Sequence, residues 1–371
     1  MKEKVYYVGF NANNAICNES FFEGSITLYP TNEKGNIPFI KDGSKKINNL
    51  DLEYKEFVEE QLNKITSENS NAKIMCFNEK AKKVCKNFNN YFTLSNNDDL
   101  ILMLNDKFKT RELLKNEVPI LNYIWLDDLN LSYDEIANRL NSSTFVVQAK
   151  VGAGGNTTYN VTSDVDYSLI KERSGKFCVS SYISNTPLNV TAIITNDEDI
   201  IFPVSAQLIL SHSSNFTYVG GDFVFASTLN KNIISDINKY TKRILGVLKN
   251  LGYRGIIGID YILTKNDEIL FMEINPRFQA SSFLINLELK QKGYPCLAEL
   301  NYKALNNIKI GKIEDININK SFLNCGNSNE FNEFKDFKIL LNGYSKLNKN
   351  SVYRKIFDYS LINNDMFEHI K

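Results

Sequence analysis

Two short stretches of this sequence carry side chains whose types and spacing could do chemistry. Ile256 to Leu263 and Ile269 to Asn275 are strand-like runs joined by Thr264–Glu268. A two-residue turn at Asn266-Asp267, where both residue types tolerate positive φ, would fix their register. Lys265 then faces Glu268, Leu263 faces Leu270, Ile262 faces Phe271, Asp260 faces Glu273 and Gly258 faces Asn275. One face of this hairpin is apolar (Ile259, Tyr261, Leu263, Leu270, Met272, Ile274), while the other sets two carboxylates directly against each other. Repulsion between like charges about 5 Å apart is roughly 3 kcal/mol at an effective dielectric of 20. A cation between them removes that cost. Asp260, Glu273 and the Asn275 amide oxygen form a hard oxygen set that suits Mg²⁺, completed by water and phosphate oxygens. The competing readings are an exposed acidic edge or one proton shared by the pair, and the apolar residues flanking both carboxylates weigh against them. Arg277 follows at the mouth of the same site, where its forked donors could grip a phosphoryl group or a carboxylate, or serve only as an ion-pair partner.

The second stretch, Val151 to Thr158 (VGAGGNTT), has glycines at 152, 154 and 155 and can present backbone N–H groups to an anion. It is not a Walker A loop, because no Gly-Lys-Ser/Thr follows and it leads into a strand. Most glycine-rich turns are simply loops. The two histidines, His212 and His369, exclude a histidine-rich metal site. His212, between the glycine loop and the hairpin, reads equally as a substrate contact or a loop residue.

The elements that must position these groups alternate along the chain. A strand at Val5–Phe10, turn residues from Gly24 to Gly43, a helix at Leu52–Ile65 and a strand at Ala72–Phe77 predict an open α/β unit ending near Asn97. Asp106 to Asn116 reads as a charged helix. Phe145–Lys150, Thr157–Val161, Phe177–Ile183 and Val190–Thr195 read as strands, and Asn232–Leu251 as a helix ending at Gly252. The 371 residues carry 43 basic and 43 acidic side chains, which removes the electrostatic footprint of a nucleic-acid binder. No apolar run reaches bilayer length, and the start shows no signal-peptide pattern. Six scattered cysteines without a Cys-x-x-Cys pair read as reduced, mostly buried thiols of a cytoplasmic protein.

Gly255–Asp260, the run FMEINPRFQASS from Phe271 and the glycine-rich turn together resemble the ATP-grasp superfamily, over roughly Asp106 to Leu300. That superfamily includes D-alanine–D-alanine ligase, biotin carboxylase and carbamoyl-phosphate synthetase. The resemblance implies a mixed α/β and α+β architecture, the ATP-grasp fold, with a Rossmann-like N-terminal domain at 1–97. A lid subdomain at 98–182 and a metal-binding subdomain at 183–310 follow, leaving a C-terminal extension at 311–371 with no counterpart. It implies ATP with Mg²⁺ or Mn²⁺ as cofactors, the metal on Asp260, Glu273 and Asn275, and a lid at Gly152, Gly154 and Gly155 closing over the phosphates. A family lysine expected on the strand before this loop falls on Gln148; Lys150, two residues on, shares its strand face and could supply the charge. Lys107 in NDKFKTRELL matches a second phosphate-binding lysine. Ser181, Tyr182 and Ile183 match the hinge that reads the adenine edge, and Asn189 stands where a carboxylate often holds the ribose. An arginine common two residues before the metal-binding Asp is Gly258 here, Arg254 being the one that could compensate.

The chemistry implied is carboxylate–amine ligation. A γ-phosphoryl group passes to a carboxylate, an amine attacks the resulting acyl phosphate, and ADP and phosphate leave, with Arg277 orienting the carboxylate or the transferring group. The implied substrates are small carboxylates and amines, amino acids or peptides, with a carrier protein as a further partner and neither nucleic acid nor membrane involved. A kinase-like transferase on the same fold is one alternative. A nucleotide-binding regulator without catalysis is another, for which Gln148 and the missing arginine speak.

Overall fold

The computed structural model describes residues 3–9, 20–28, 36–40, 50–77, 82–83, 86–91, 95–152, 157–183, 185–212, 215–324 and five short strand segments between 340 and 369. At the N-terminus, β1 (Lys4–Gly9), β2 (Gly24–Thr27), β3 (Asn36–Pro38) and β4 (Ala72–Met75) form a parallel sheet in the order β3-β2-β1-β4. The stretch read as turns therefore contains two strands, β2 and β3. They are only four and three residues long, too short to alternate visibly. Helix α1 (Leu50–Glu68) lays Tyr54, Val58 and Leu62 against Val8, Ile26 and Ile74. The other face of β1 and β4 packs Val5, Tyr7 and Met75 against Phe77, Phe278 and Ala298, and the rings of Phe77 and Phe278 stack at 3.7 Å. Burial on both faces is the rule for parallel sheets.

Two helices then run almost end to end: α2 (Asp98–Leu104), not foreseen from the sequence, and α3 (Lys107–Leu114). The Asp106 side chain caps α3 by accepting from the N–H groups of Phe108 and Lys109, which places Lys107 in its first turn. β5 (Tyr123–Leu126), α4 (Tyr133–Leu140), β6 (Phe145–Ala149), β7 (Thr158–Val161), α5 (Asp164–Ser168) and β8 (Phe177–Ser181) make the next layer. Ser132 and Glu135 close a capping box on α4, and Asn141 ends it at φ 51°. Ile136, Phe145, Val147, Val161 and Val179 are the core of this unit.

β9 (Asn185–Ile194), β10 (Ile200–Ile201), β11 (Ser205–His212), β12 (Asn215–Asp222), α6 (Phe223–Ser227), α7 (Lys231–Asn250), β13 (Gly255–Thr264), β14 (Ile269–Asn275), α8 (Ser282–Gln291) and α9 (Leu297–Leu305) complete the central body. Its sheet runs β14-β13-β9-β11-β12-β7-β6-β8-β5. Helix α7 presents Ile233, Ile237, Ile244 and Leu248, spaced as one helical stripe, to Ile257, Ile259 and Tyr261 on one sheet face. The opposite face is covered by α8 and α9 through Phe283, Leu284, Leu297 and Leu300. Beyond them, β15 (Ser321–Asn324) pairs with β12 and with Tyr359–Ile362, and Phe322 is buried. The extension after Gly311 is thus partly woven into the main sheet. No helix among the described residues is long and apolar enough to cross a membrane.

Candidate functional site

The hairpin places its acids as expected, though by a different route. Three residues, Lys265 to Asp267, form the turn: Thr264 N–H donates to Glu268 O, and Asp267 alone of the pair Asn266-Asp267 takes positive φ (62°). That shifts the pairing by one, so Leu263 meets Ile269, Ile262 meets Leu270 and Tyr261 meets Phe271. Leu270 and Met272 accordingly leave the apolar face to Ile269 and Phe271, both buried. A bulge then inserts Met272 as an extra residue and restores Asp260 opposite Glu273 and Gly258 opposite Asn275. The outer edge of β14 is covered rather than open: Phe271 N–H donates to Pro119 O, and Arg111 Nε donates to Met272 O at 3.3 Å.

β9 pairs with β13 over its full length and brings Asn189 opposite Asp260 on the other flank. Asp260 is held on three sides. Asn189 Nδ2 donates to its Oδ1 at 2.6 Å, Asn275 Nδ2 donates to its Oδ2 at 2.9 Å, and Gln207 adds a further hydrogen bond. Burial and the facing Glu273 nonetheless push its carboxyl up to about 7. Burial also works to raise Glu273, but the charge and hydrogen bond of Lys107, with Arg277 and Arg111 nearby, win and hold it below the usual range. The Lys107 Nζ to Glu273 Oε2 distance is 2.5 Å. Lys107 is therefore one of the positive partners that the opposed acids demand. Arg277 donates to Asn275 Oδ1 at 3.0 Å and to Phe278 O.

The residues expected to face a nucleotide lie on β6, just after it and on α3. Gln148 is buried on β6, its Oε1 accepting from Arg111 Nη2 at 3.1 Å. Lys150 Nζ pairs with Asp106 at 2.8 Å, and the N–H of Lys107 donates to Lys150 O, tying helix start to strand end. A Cβ at Gly152 would lie 1.9 Å from Thr157 Oγ1, so a side chain there would force Thr157 to turn. Gly154 and Gly155 lie outside the described residues. Ser181, Tyr182 and Ile183 are half-buried at the end of β8, where the chain passes toward β9. Asn189 belongs with Asp260, Gln279 and Ser281, to which it is hydrogen-bonded, and so sits at the carboxylate end of the site. At Gly258 a Cβ would lie 1.9 Å from the Gln279 amide, so a side chain there would displace Gln279 from Asn189. Arg254 does not fill that place, being engaged with Asn196, Lys249 O and Tyr253 O. Of His212 only the backbone, at the end of β11, is described.

Sequence reasoning missed Arg111, Gln207 and Gln279: Arg111 and Gln279 lie within the quoted runs NDKFKTRELL and FMEINPRFQASS without having been singled out, and Gln207 lies on a strand without a motif; the available hint for Arg111 was its position one helical turn after Lys107. The described cysteines, Cys76, Cys178 and Cys296, are free thiols, and Cys17, Cys85 and Cys325 lie outside the described residues. Among the described residues no three His, Cys, Asp or Glu side chains gather as a metal site. A divalent ion here would rest on two carboxylates and an amide. The donor chemistry fits one: two carboxylates and an amide on adjacent strands offer an all-oxygen set once the Asn275 amide turns its oxygen, which here accepts from Arg277, toward Asp260.

Residues 104–281 match the family model described as an ATP-grasp domain. This stretch is an ATP-grasp domain. The chain is 26% identical over 210 residues to the butirosin acyl-carrier protein–L-glutamate ligase of Niallia circulans, covering 51% of this chain and 46% of that protein. It is 24% identical over 165 residues to the D-alanine–D-alanine ligase of Phocaeicola vulgatus, covering 41% of this chain and 48% of that one. It spans about half the length of these curated relatives. In fold it is similar to an N5-carboxyaminoimidazole ribonucleotide synthetase solved as its ADP complex, with TM-score 0.64, 14% identity, and coverage of 98% of this chain and 93% of that one. The ATP-grasp domain thus contains the opposed acids, the glycine loop and the buried guanidinium of Arg111, while the N-terminal parallel sheet precedes it.

Proposed function

We propose that this protein is an ATP-dependent ligase that joins a carboxylate to an amine through an acyl phosphate, with release of ADP and phosphate. The observation that carries this reading is Asp260 standing opposite Glu273, with Asn275 and Arg277 following at alternate positions, inside an ATP-grasp domain. Asp260, Glu273 and Asn275 would hold magnesium or manganese, which neutralises charge on the phosphates. Lys107 and Lys150 stand ready to exchange their carboxylate partners for phosphate oxygens, and the glycine loop with Gly152 closes against water. Ser181, Tyr182 and Ile183 would receive the adenine, with 98–182 as the lid subdomain and 183–310 as the metal-binding subdomain of this reading.

Arg277 also lines a cleft with Phe77, Lys82, Ser95 and Phe278, between the N-terminal sheet and the ATP-grasp domain. Its interior volume of about 70 Å³ suits a group of roughly five to seven heavy atoms, the size of an amino-acid head group. Arg277 has no carboxylate partner among the described residues, so it is free to orient the substrate carboxylate. Likeness to the Niallia ligase supports an amino acid as one substrate and an acyl-carrier protein as a partner. A cytoplasmic location accords with this chemistry. The test is incubation with ATP, Mg²⁺ and pooled amino acids, following ADP, AMP and phosphate by chromatography and new amides by mass spectrometry. ADP with free phosphate and a new amide is expected. ADP without free phosphate, or AMP, would replace the ligase with another reaction.

A further inference from the structure

Arg111 is the largest fully buried side chain among the described residues, with 0% exposure. Its guanidinium donates to Met272 O, Cys178 Sγ and Gln148 Oε1, three uncharged acceptors, and lies 5.3 Å from the Tyr123 ring centre. No carboxylate among the described residues pairs with it; Glu273, the acid that feels its charge, is already bonded to Lys107. A buried cation with no counter-ion is expensive, and the cost is relieved when an anion arrives. Charge counting across the site points the same way: among the described residues the four cations Lys107, Arg111, Lys150 and Arg277 are set against the three acids Asp106, Asp260 and Glu273.

Arg111 cannot touch a ligand itself, but Gln148 stands between it and the expected nucleotide site. A guanidinium has donors only, so the Gln148 amide oxygen must face it and the Nε2 donors must face away. Among the described residues Nε2 has no protein acceptor. We propose that Arg111 is a positioning residue that fixes the Gln148 amide with its N–H donors toward the nucleotide phosphates and lends them its charge. On this account the positive charge for the phosphates comes from helix α3, relayed through an amide, rather than from a side chain on β6. The same guanidinium holds the Met272 bulge, so a single buried group couples phosphate binding to the register of the acids.

This inference rests on the nucleotide reading above and is tested by calorimetric titration of the whole protein with a non-hydrolysable ATP analogue and Mg²⁺, alongside thermal unfolding. Gln148→Glu gives Arg111 an internal counter-ion. Its melting temperature should rise while analogue affinity falls at least tenfold, opposite signs that a merely structural role does not produce. Arg111→Met should also weaken binding about tenfold. The double variant Arg111→Met/Gln148→Lys, which moves the cation onto the strand, should return to within threefold of wild type. Unchanged affinity in Gln148→Glu, or a double variant no better than Arg111→Met, would overturn the proposal. If Arg111→Met does not fold, Gln148→Glu decides alone. Wild-type protein that binds no analogue would remove the nucleotide reading itself and this inference with it.

Discussion

In the N-terminal sheet, β1 lies parallel between β2 and β4 and buries apolar residues on both faces: Val8 against α1 on one side, Val5 and Tyr7 against Phe77 on the other. In the β13–β14 hairpin only one face is apolar, and the other forces Asp260 against Glu273. The first region is held mainly by apolar burial, with a few hydrogen bonds such as Tyr54 Oη to Gly9 O. The second holds a pair of like charges whose repulsion is offset by Lys107, by amide donors from two neighbouring strands and by covering of the β14 edge. Apolar packing thus dominates one part of the molecule and a charged, hydrogen-bonded network the other.

The sharpest way to break this contrast is Glu273→Gln, which keeps shape and removes charge. Turnover should fall by roughly 10² to 10³, the scale for losing one group that stabilises transferring charge. Stability should drop by only about 1–3 kcal/mol, since Lys107 loses its partner. Full activity in the ADP-release assay would sink the metal assignment. Ile74→Val, on β4 in the N-terminal core, should do the reverse. Denaturant unfolding should register a loss of about 0.5–1.5 kcal/mol, with kcat unchanged. A change in kcat there would show the two regions to be coupled.

What the sequence disclosed follows the same division. Long periodic elements were legible: α1, α7 and both hairpin strands lie close to their expected ranges, because a stripe such as Ile233, Ile237, Ile244 and Leu248 has a period that survives in any context. β2 and β3 were not, because four and three residues carry no period. The acid pair was legible because its residues belong to one local hairpin. Asn189, Gln207 and Gln279 were not tied to Asp260, since 71, 53 and 19 positions separate them from it and only the strand order β13-β9-β11 unites the first two with it. Arg111 stayed hidden in a helix that reads as charged and solvated, whereas the structure turns it inward under the bulge.

The smallest effect separates two ways of building the same register. A two-residue turn would need positive φ at both Asn266 and Asp267, and each would resist replacement by alanine. In the structure only Asp267 adopts it, at 62°, and the Met272 bulge compensates for the longer turn. Asp267→Ala should therefore cost about 1 kcal/mol, because alanine lacks the short polar side chain that eases Asp into the left-handed region, while Asn266→Ala should stay within about 0.5 kcal/mol of wild type. Both should retain turnover, because the position of Glu273 is secured independently by the full-length pairing of β13 with β9 and by the Pro119 and Arg111 contacts on β14. Thermal unfolding of the two variants side by side makes the comparison. Equal losses would mean that the turn, not the bulge, sets which carboxylates meet, and the arginine under the bulge would then have no register to hold.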